Sequence, residues 1–306
     1  MGWWQLGPFQ RRNSHNTIYR RAIQGGMGDP GISLPISSST APQFPAEQEA
    51  LFREVLQLLN DKHVPYAVSG AFALHQHTGI WRNTKDLDLF LTAENARRAM
   101  EVLRDDGFQT EVVDPIWLCK AWREGFFVDL ITGMSNGIIT VEDSWIEGSA
   151  RAKVTGVQTR VLAAEELIAS KMFVLFRERY DGADIAHVIH GTRGRLDWDR
   201  LLHLAGENWE LLFYAMIMFK YIYPSKTDFI PREIWESMLE RTRQAIENPD
   251  PKAKFRGSLL DERMFAIDVQ EWGMNDLLGE SRKRRESEID TNTPEKPPND
   301  KRGLVA

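Results

Sequence analysis

A single cysteine, Cys119, stands in a chain of 306 residues. That excludes an intrachain disulfide and a zinc site built from cysteines, and it suits a reducing cytoplasm. No apolar run reaches membrane length, so no spanning helix is expected. The first residues include Trp3 and Trp4 but no apolar stretch of the kind found in a secretory signal. An excess of positive charge is missing as well. The net charge is −6, so the surface does not advertise an extended nucleic-acid footprint, although a local basic groove is compatible with that balance. Internal repeats are absent. What is present, 42% hydrophobic and 27% charged residues, is an ordinary globular composition, long enough for a sizeable core and two domains.

Both ends lack periodicity. Residues 1–44 are rich in Gly, Pro and Ser, and residues 280–306 carry Arg282-Lys283-Arg284-Arg285 and several prolines. Both are expected to be unstructured, the basic cluster being a solvated tail. Between them the pattern divides. Residues 45–162 read as an α+β domain. A first helix carries Leu51, Val55, Leu58 and Leu59, and a second spans 93–106. Strands are expected at 108–113, 116–122 and 126–132, with short ones near 144–146 and 158–162. The run FFVDLIT at 126–132 is apolar enough to be a central strand. Residues 163–279 read as a helical C-terminal domain, with helices at 163–179, 181–190, 198–205, 209–221 and 232–247. The last has Ile234, Met238, Leu239 and Ile246 as its stripe, and the segment 255–276 is expected to pack back on the body. The fold class is therefore α+β, a mixed sheet flanked by helices and followed by a helical part.

The chemistry concentrates in Tyr66 to Leu91. A short apolar strand leads into the small-residue turn Ser69-Gly70-Ala71 and a helix to about His77. The segment ends in Asp86-Leu87-Asp88-Leu89-Phe90. In a strand this alternation sends both carboxylates to one face and both leucines to the other. Paired carboxylates about 6.7 Å apart along a strand repel unless a cation lies between them. Asp129 interrupts the most apolar strand, and an unpartnered buried carboxylate is costly. Together Asp86, Asp88 and Asp129 have the hard oxygen donors that suit a two-ion Mg²⁺ site, the ions being roughly 3.5–4 Å apart. One ion would hold a triphosphate and the other would activate a hydroxyl, with Asp129 as ligand or as base. The free N–H groups of the turn would favour phosphate oxygens. Each piece has a bland counterpart: a solvated strand edge, a plain turn. His75 and His77 point different ways on a helix, and His187 and His190 lack a third ligand, so structural roles are expected for them.

Gly70-Ala71-Phe72-Ala73-Leu74, Arg82-x-Thr84-x-Asp86-Leu87-Asp88 and the apolar-flanked Asp129 resemble the nucleotidyltransferase superfamily of DNA polymerase β. Within it they are most similar to the bacterial group that includes the abortive-infection (AbiEii-type) toxins. Lys171, Arg179, Asp181 and Asp184 match the downstream segment of that group in type and order. The resemblance implies Mg²⁺-dependent transfer of a nucleoside monophosphate from an NTP to a hydroxyl on a protein, a tRNA or a small molecule. Asp86, Asp88 and Asp129 would hold the metal. Ser69, Gly70 and Ala71 would hold the triphosphate. Lys171 is a candidate phosphate contact, with a snorkelling surface lysine as its alternative. Arg82 would orient an Asp or a phosphate. Ala71 departs from the family's Gly or Ser, which removes a hydroxyl contact to phosphate unless Ser69 supplies it. The competing readings are an inactive nucleotide-binding scaffold on the same fold, and a toxin with an antitoxin partner.

Overall fold

The computed structural model describes residues 44–291. Residues 1–43 and 292–306, expected to be unstructured, lie outside the described residues. Phe44 belongs to the body: its ring packs against Phe52, Phe72 and Trp81, with centroids 5.9, 5.6 and 5.1 Å away.

The N-terminal part runs α1 (Ala46–Asp61), β1 (Ala67–Val68), α2 (Gly70–Thr78), β2 (Asp86–Phe90), α3 (Ala93–Asp105), β3 (Gln109–Asp114), β4 (Leu118–Arg123), β5 (Phe126–Ile131), α4 (Asp143–Glu147), β6 (Ala150–Val154) and β7 (Val157–Val161). The seven strands form one mixed sheet in the order β3-β4-β5-β2-β1-β7-β6. β2 and β5 run parallel at its middle, and β5 pairs antiparallel with β4 on its other side. β5 is thus an interior strand, as its composition implied. Along β2 the leucines are buried and the aspartates half-buried, the period-2 pattern of a strand with one face on the core. α1 buries Leu51, Phe52, Val55, Leu56 and Leu59, and α3 is capped by Thr92, whose hydroxyl accepts from the Asn95 N–H.

The helical part comprises α5 (Ala164–Lys171), a small hairpin of β8 (Leu175–Phe176) and β9 (Arg179–Tyr180), α6 (Gly182–Gly191), α7 (Trp198–Ala205), α8 (Trp209–Ile222), α9 (Arg232–Glu247), α10 (Ala266–Gln270) and α11 (Leu277–Thr291). α5 and α6 pack on α2, and buried side chains from Leu51 to Leu259 form one continuous core. Among the described residues no helix is long and apolar enough to cross a membrane.

Several expectations are corrected. Residues 144–146 are helical, not extended: Trp145 and Ile146 are consecutive and both buried, which a period of two does not allow. The helix expected over 163–179 ends at Lys171. The following Phe-Val-Leu-Phe is rich in strand-favouring residues and leads into the β8–β9 hairpin. On α9 only Ile234 and Met238 are buried; Leu239 lies about 140° round the helix from Ile234 and is exposed. Of the segment 255–276, Leu259 is buried while Ile267 and Trp272 are exposed. Residues 280–291, expected within the unstructured tail, continue α11. Ser281 donates to the Asn136 carbonyl, and Arg282 reaches Ser135 O at 2.5 Å and Asp114 Oδ2 at 2.9 Å.

Candidate active site

The β2–β5 pairing sets the site. In this parallel ladder Asp88 lies opposite Asp129, with Asp86 two residues back on the same face. One carboxylate oxygen from each of the three comes within 4.8 Å of the others. The three acids singled out from sequence therefore meet at one point. The Thr84 hydroxyl donates to Asp86 Oδ1 at 2.6 Å and fixes that carboxylate.

The turn after β1 is pressed against the acids. The Ser69 N–H donates to the Asp88 carbonyl at 2.9 Å. Gly70 has φ +55°, and a Cβ there would overlap Asp88 Oδ2 and stand 2.8 Å from Asp88 Cγ. Only glycine combines this backbone with this approach. α2 starts at Gly70 with no side-chain cap, so its first N–H groups are left for a ligand or solvent.

Burial is the main cause that pushes the Asp88 carboxyl up to about 7, with Asp86 and Asp129 adding to it and Lys171 and Arg179 working against it. Asp129 is also raised by burial, in part offset by Lys120 and reinforced by Asp86. Such displacement is what buried, crowded carboxylates undergo.

A second group of charges forms the opposite wall. Lys171 Nζ lies 2.7 Å from Asp181 Oδ2 and 2.8 Å from Asp184 Oδ2. Arg82 Nη1 meets Asp184 Oδ1 at 2.5 Å, and Arg179 takes Asp181 with two hydrogen bonds of 3.0 and 2.9 Å. Lys171, with 11% of its side chain exposed, is not a surface lysine. Arg82 turns to Asp184 and not to the β2 aspartates, and Arg179 pairs with Asp181 and not with Asp184. Burial disfavours the charged form of Asp181, yet Arg179 and Lys171 outweigh it and hold this carboxyl below the usual range.

Acids and wall enclose a cleft of about 460 Å³ that also takes in Ser69, Gly70, Ala71 and an apolar side made by Trp117, Ile131, Met134, Phe173, Phe176 and Leu259. This size and mix suit a small polar ligand with an aromatic or apolar part. His77 is engaged with the Leu162 carbonyl at 2.8 Å and His190 packs on Tyr223, both outside the cleft lining. His187 lies 3.5 Å from Arg82. Sequence reading missed Lys120, which pairs with Asp129, and placed Thr84 in a motif without giving it a role.

Residues 48–205, a little over half of the chain, match the family model described as "Nucleotidyl transferase of unknown function (DUF2204)". Solved structures similar to this chain include an antigenic nucleotidyltransferase-like protein from Paracoccidioides brasiliensis, 17% identical, covering 62% of this chain and 96% of that one at a TM-score of 0.41. The antibiotic-resistance factor ANT(2'')-Ia is 15% identical, covering 60% and 96% at a TM-score of 0.37. The lincosamide antibiotic adenylyltransferase LnuA, lincomycin-bound, is 17% identical, covering 48% and 98% at a TM-score of 0.35. No curated protein matches the chain.

Proposed function

The chain belongs to the family of nucleotidyl transferases of unknown function (DUF2204), and on that footing we propose that it transfers a nucleoside monophosphate from an NTP to a hydroxyl-bearing acceptor with the help of Mg²⁺. The observation that carries the reading is the meeting of Asp86, Asp88 and Asp129 beside the Gly70 bend. The finer, toxin-like placement rests on motifs alone.

The acids fit a divalent cation. Three carboxylates converge, and the buried Asp129 Oδ1 accepts no hydrogen bond, although the Lys120 ammonium stands 3.0 Å from it. Carboxylate oxygens at a cleft wall are the donor set that Mg²⁺ takes together with phosphate oxygens. Asp86, Asp88 and Asp129 would hold it, and when bound it would supply charge neutralisation and activation of the attacking hydroxyl.

The remaining work falls to the chain. The N–H groups opening α2, at Gly70 and Ala71, would face triphosphate oxygens, with Ser69 beside them in the cleft lining. Thr84 keeps Asp86 oriented. Arg82 and Lys171 line the cleft and bring positive charge towards the phosphates, each held in place by Asp184. Trp117, Phe176 and Leu259 offer apolar contact to a base or to the acceptor. In the transfer, the acceptor oxygen bonds to the α-phosphorus as the bond to the bridging oxygen breaks. Pyrophosphate leaves, and the hydroxyl proton passes to water.

The test is to incubate the protein with each α-labelled NTP, Mg²⁺ and extracts containing protein, tRNA and small-molecule acceptors, and to identify modified products by mass spectrometry. Label transfer is expected from the wild type and its loss from Asp88→Asn. Transfer unchanged in Asp88→Asn would overturn the assignment.

A further inference from the structure

Three carboxylates share one face of the sheet, and the neighbouring strand answers with a single cation. β4 runs antiparallel to β5 with Lys120 directly opposite Asp129. The Lys120 ammonium lies 3.0 Å from Asp129 Oδ1 and donates to Oδ2 at 3.3 Å. On its other flank Lys120 faces Glu111 of β3 in register, yet its ion pair is with Asp129. The Phe127 ring, two residues before Asp129 on the same face of β5, has its centroid 5.8 Å from the ammonium, an added attraction that holds the side chain over the acids. Lys120 is therefore aimed into the cluster and away from the other carboxylate within its reach.

With Lys120 charged, the trio is left with the net charge that one divalent ion cancels. A second ion at Asp129 would have to settle beside an ammonium already in contact with its ligand. A nucleoside triphosphate brings several further negative charges and restores the demand for that ion. We infer that Lys120 is a positioning residue that stands in for the second cation at Asp129 until nucleotide arrives. The free protein then takes one divalent ion, at Asp86 and Asp88, and admits the second together with the nucleotide. This deepens the two-ion reading above and rests on it.

The experiment measures Mn²⁺ binding to the full chain by electron paramagnetic resonance of the free ion and by calorimetry. It compares wild type, Lys120→Met and Lys120→Arg, each with and without α,β-methylene analogues of the NTPs, and uses Asp88→Asn as the blank. The wild type is expected to bind one Mn²⁺ alone and two with an analogue. Lys120→Met is expected to bind two without nucleotide, the second at least tenfold more tightly than wild type, while Lys120→Arg follows wild type. A cross-strand ion pair with a merely structural role would leave the stoichiometry unmoved. The same isotherm for wild type and Lys120→Met, or two ions on the free wild type, would overturn the inference and leave the metal site standing. Absence of Mn²⁺ binding in every protein would sink the metal site and this inference together. Thermal melting checks that Lys120→Met is folded; if it is not, Lys120→Gln takes its place with the same outcomes.

Discussion

Replacing Gly70 by alanine adds one methyl group at the most crowded point of the cleft. Two costs follow. At φ +55° a residue with a Cβ is strained by roughly 1–2 kcal/mol. The Cβ also overlaps the Asp88 carboxylate, and forcing a methyl into packed surroundings adds about 1–3 kcal/mol. Asp88 cannot slide away with its strand, because its carbonyl accepts from the Ser69 N–H at 2.9 Å and β2 is paired on both edges. The carboxylate itself must turn aside by on the order of 1 Å, a misplacement that can lower a rate about 10²-fold. Gly107→Ala is the control: its φ is +87° and a Cβ there meets nothing within 4 Å, so only the backbone strain applies. Gly70→Ala should therefore lose Mn²⁺ affinity and nucleotide transfer as well as stability. Gly107→Ala should lose stability alone, by roughly 1–2 kcal/mol, read as a shift of the urea midpoint. If the two variants bound Mn²⁺ and transferred nucleotide alike, the close approach of Gly70 to Asp88 would have no functional meaning.

Other perturbations have equally definite outcomes. The Asp88 carboxyl is pushed up to about 7 by burial and its acidic neighbours. The folded protein thus holds a proton that the unfolded chain releases near pH 4, so this group's stabilisation is complete below pH 4 and is lost as pH rises through 7. Melting of the ion-free protein between pH 4 and 8 should show that fall, Asp88→Asn should flatten it, and Mn²⁺ affinity should rise over the same range; a profile that Asp88→Asn leaves unchanged would refute it. Lys171→Met leaves Asp181 and Asp184, each 10% exposed at the side chain, without their shared cation, and should cost about 3 kcal/mol in urea denaturation. Arg243→Ala, in an exposed pair with Glu240, should cost under about 1 kcal/mol. Arg282→Ala removes the bonds to Ser135 O and Asp114, so hydrogen exchange should quicken in residues 133–138, beside the cleft, and not in β2; equal protection would refute the idea that Arg282 holds this segment in place.

The acids were legible in sequence because each broke a local rule. Asp86 and Asp88 alternate with leucines that had to be buried, and Asp129 sits in a strand otherwise apolar. The structure keeps those periodicities and brings the acids together. Lys120 was within reach of the same reasoning. Glu124 and Gly125, at φ 54° and 83°, are the two-residue loop joining β4 to β5, the left-handed pair that such hairpins favour. Once Arg123 is set opposite Phe126, counting back pairs Lys120 with Asp129. Reading the strands without closing the hairpin is what hid it. The partners of Arg82 are a different matter. Asp184 lies 102 positions away in sequence, and the two meet because α6 packs on α2, a tertiary event that no local period encodes. Residues 172–180 failed for another reason: helix-compatible spacing continued past Lys171, while strand-favouring residues and the ion pairs of Lys171 with Asp181 and Asp184 turned the chain into a hairpin.

The arrangement of charge explains why those pairs matter to the site. Lys171 and Arg179 are near enough to Asp88 to act on its ionisation. Left unpartnered, such long flexible cations would be drawn to the crowded acids and take the place of an ion. Asp181 binds both of them, and Asp184 binds Lys171 and Arg82. The cations are thereby fixed on the wall, where the proposed nucleotide's phosphates would feel them, and kept off the carboxylates, which would stay open to the proposed metal. Lys120 is the exception, the one cation among the described residues in an ion pair with the trio. It enters from the neighbouring strand, on the side away from the Gly70 bend, so it can offset charge at Asp129 without closing the approach to Asp86 and Asp88. On the proposed reading, a cleft built this way separates two tasks that neighbouring opposite charges would otherwise confuse: holding a cation and attracting an anion within one small volume.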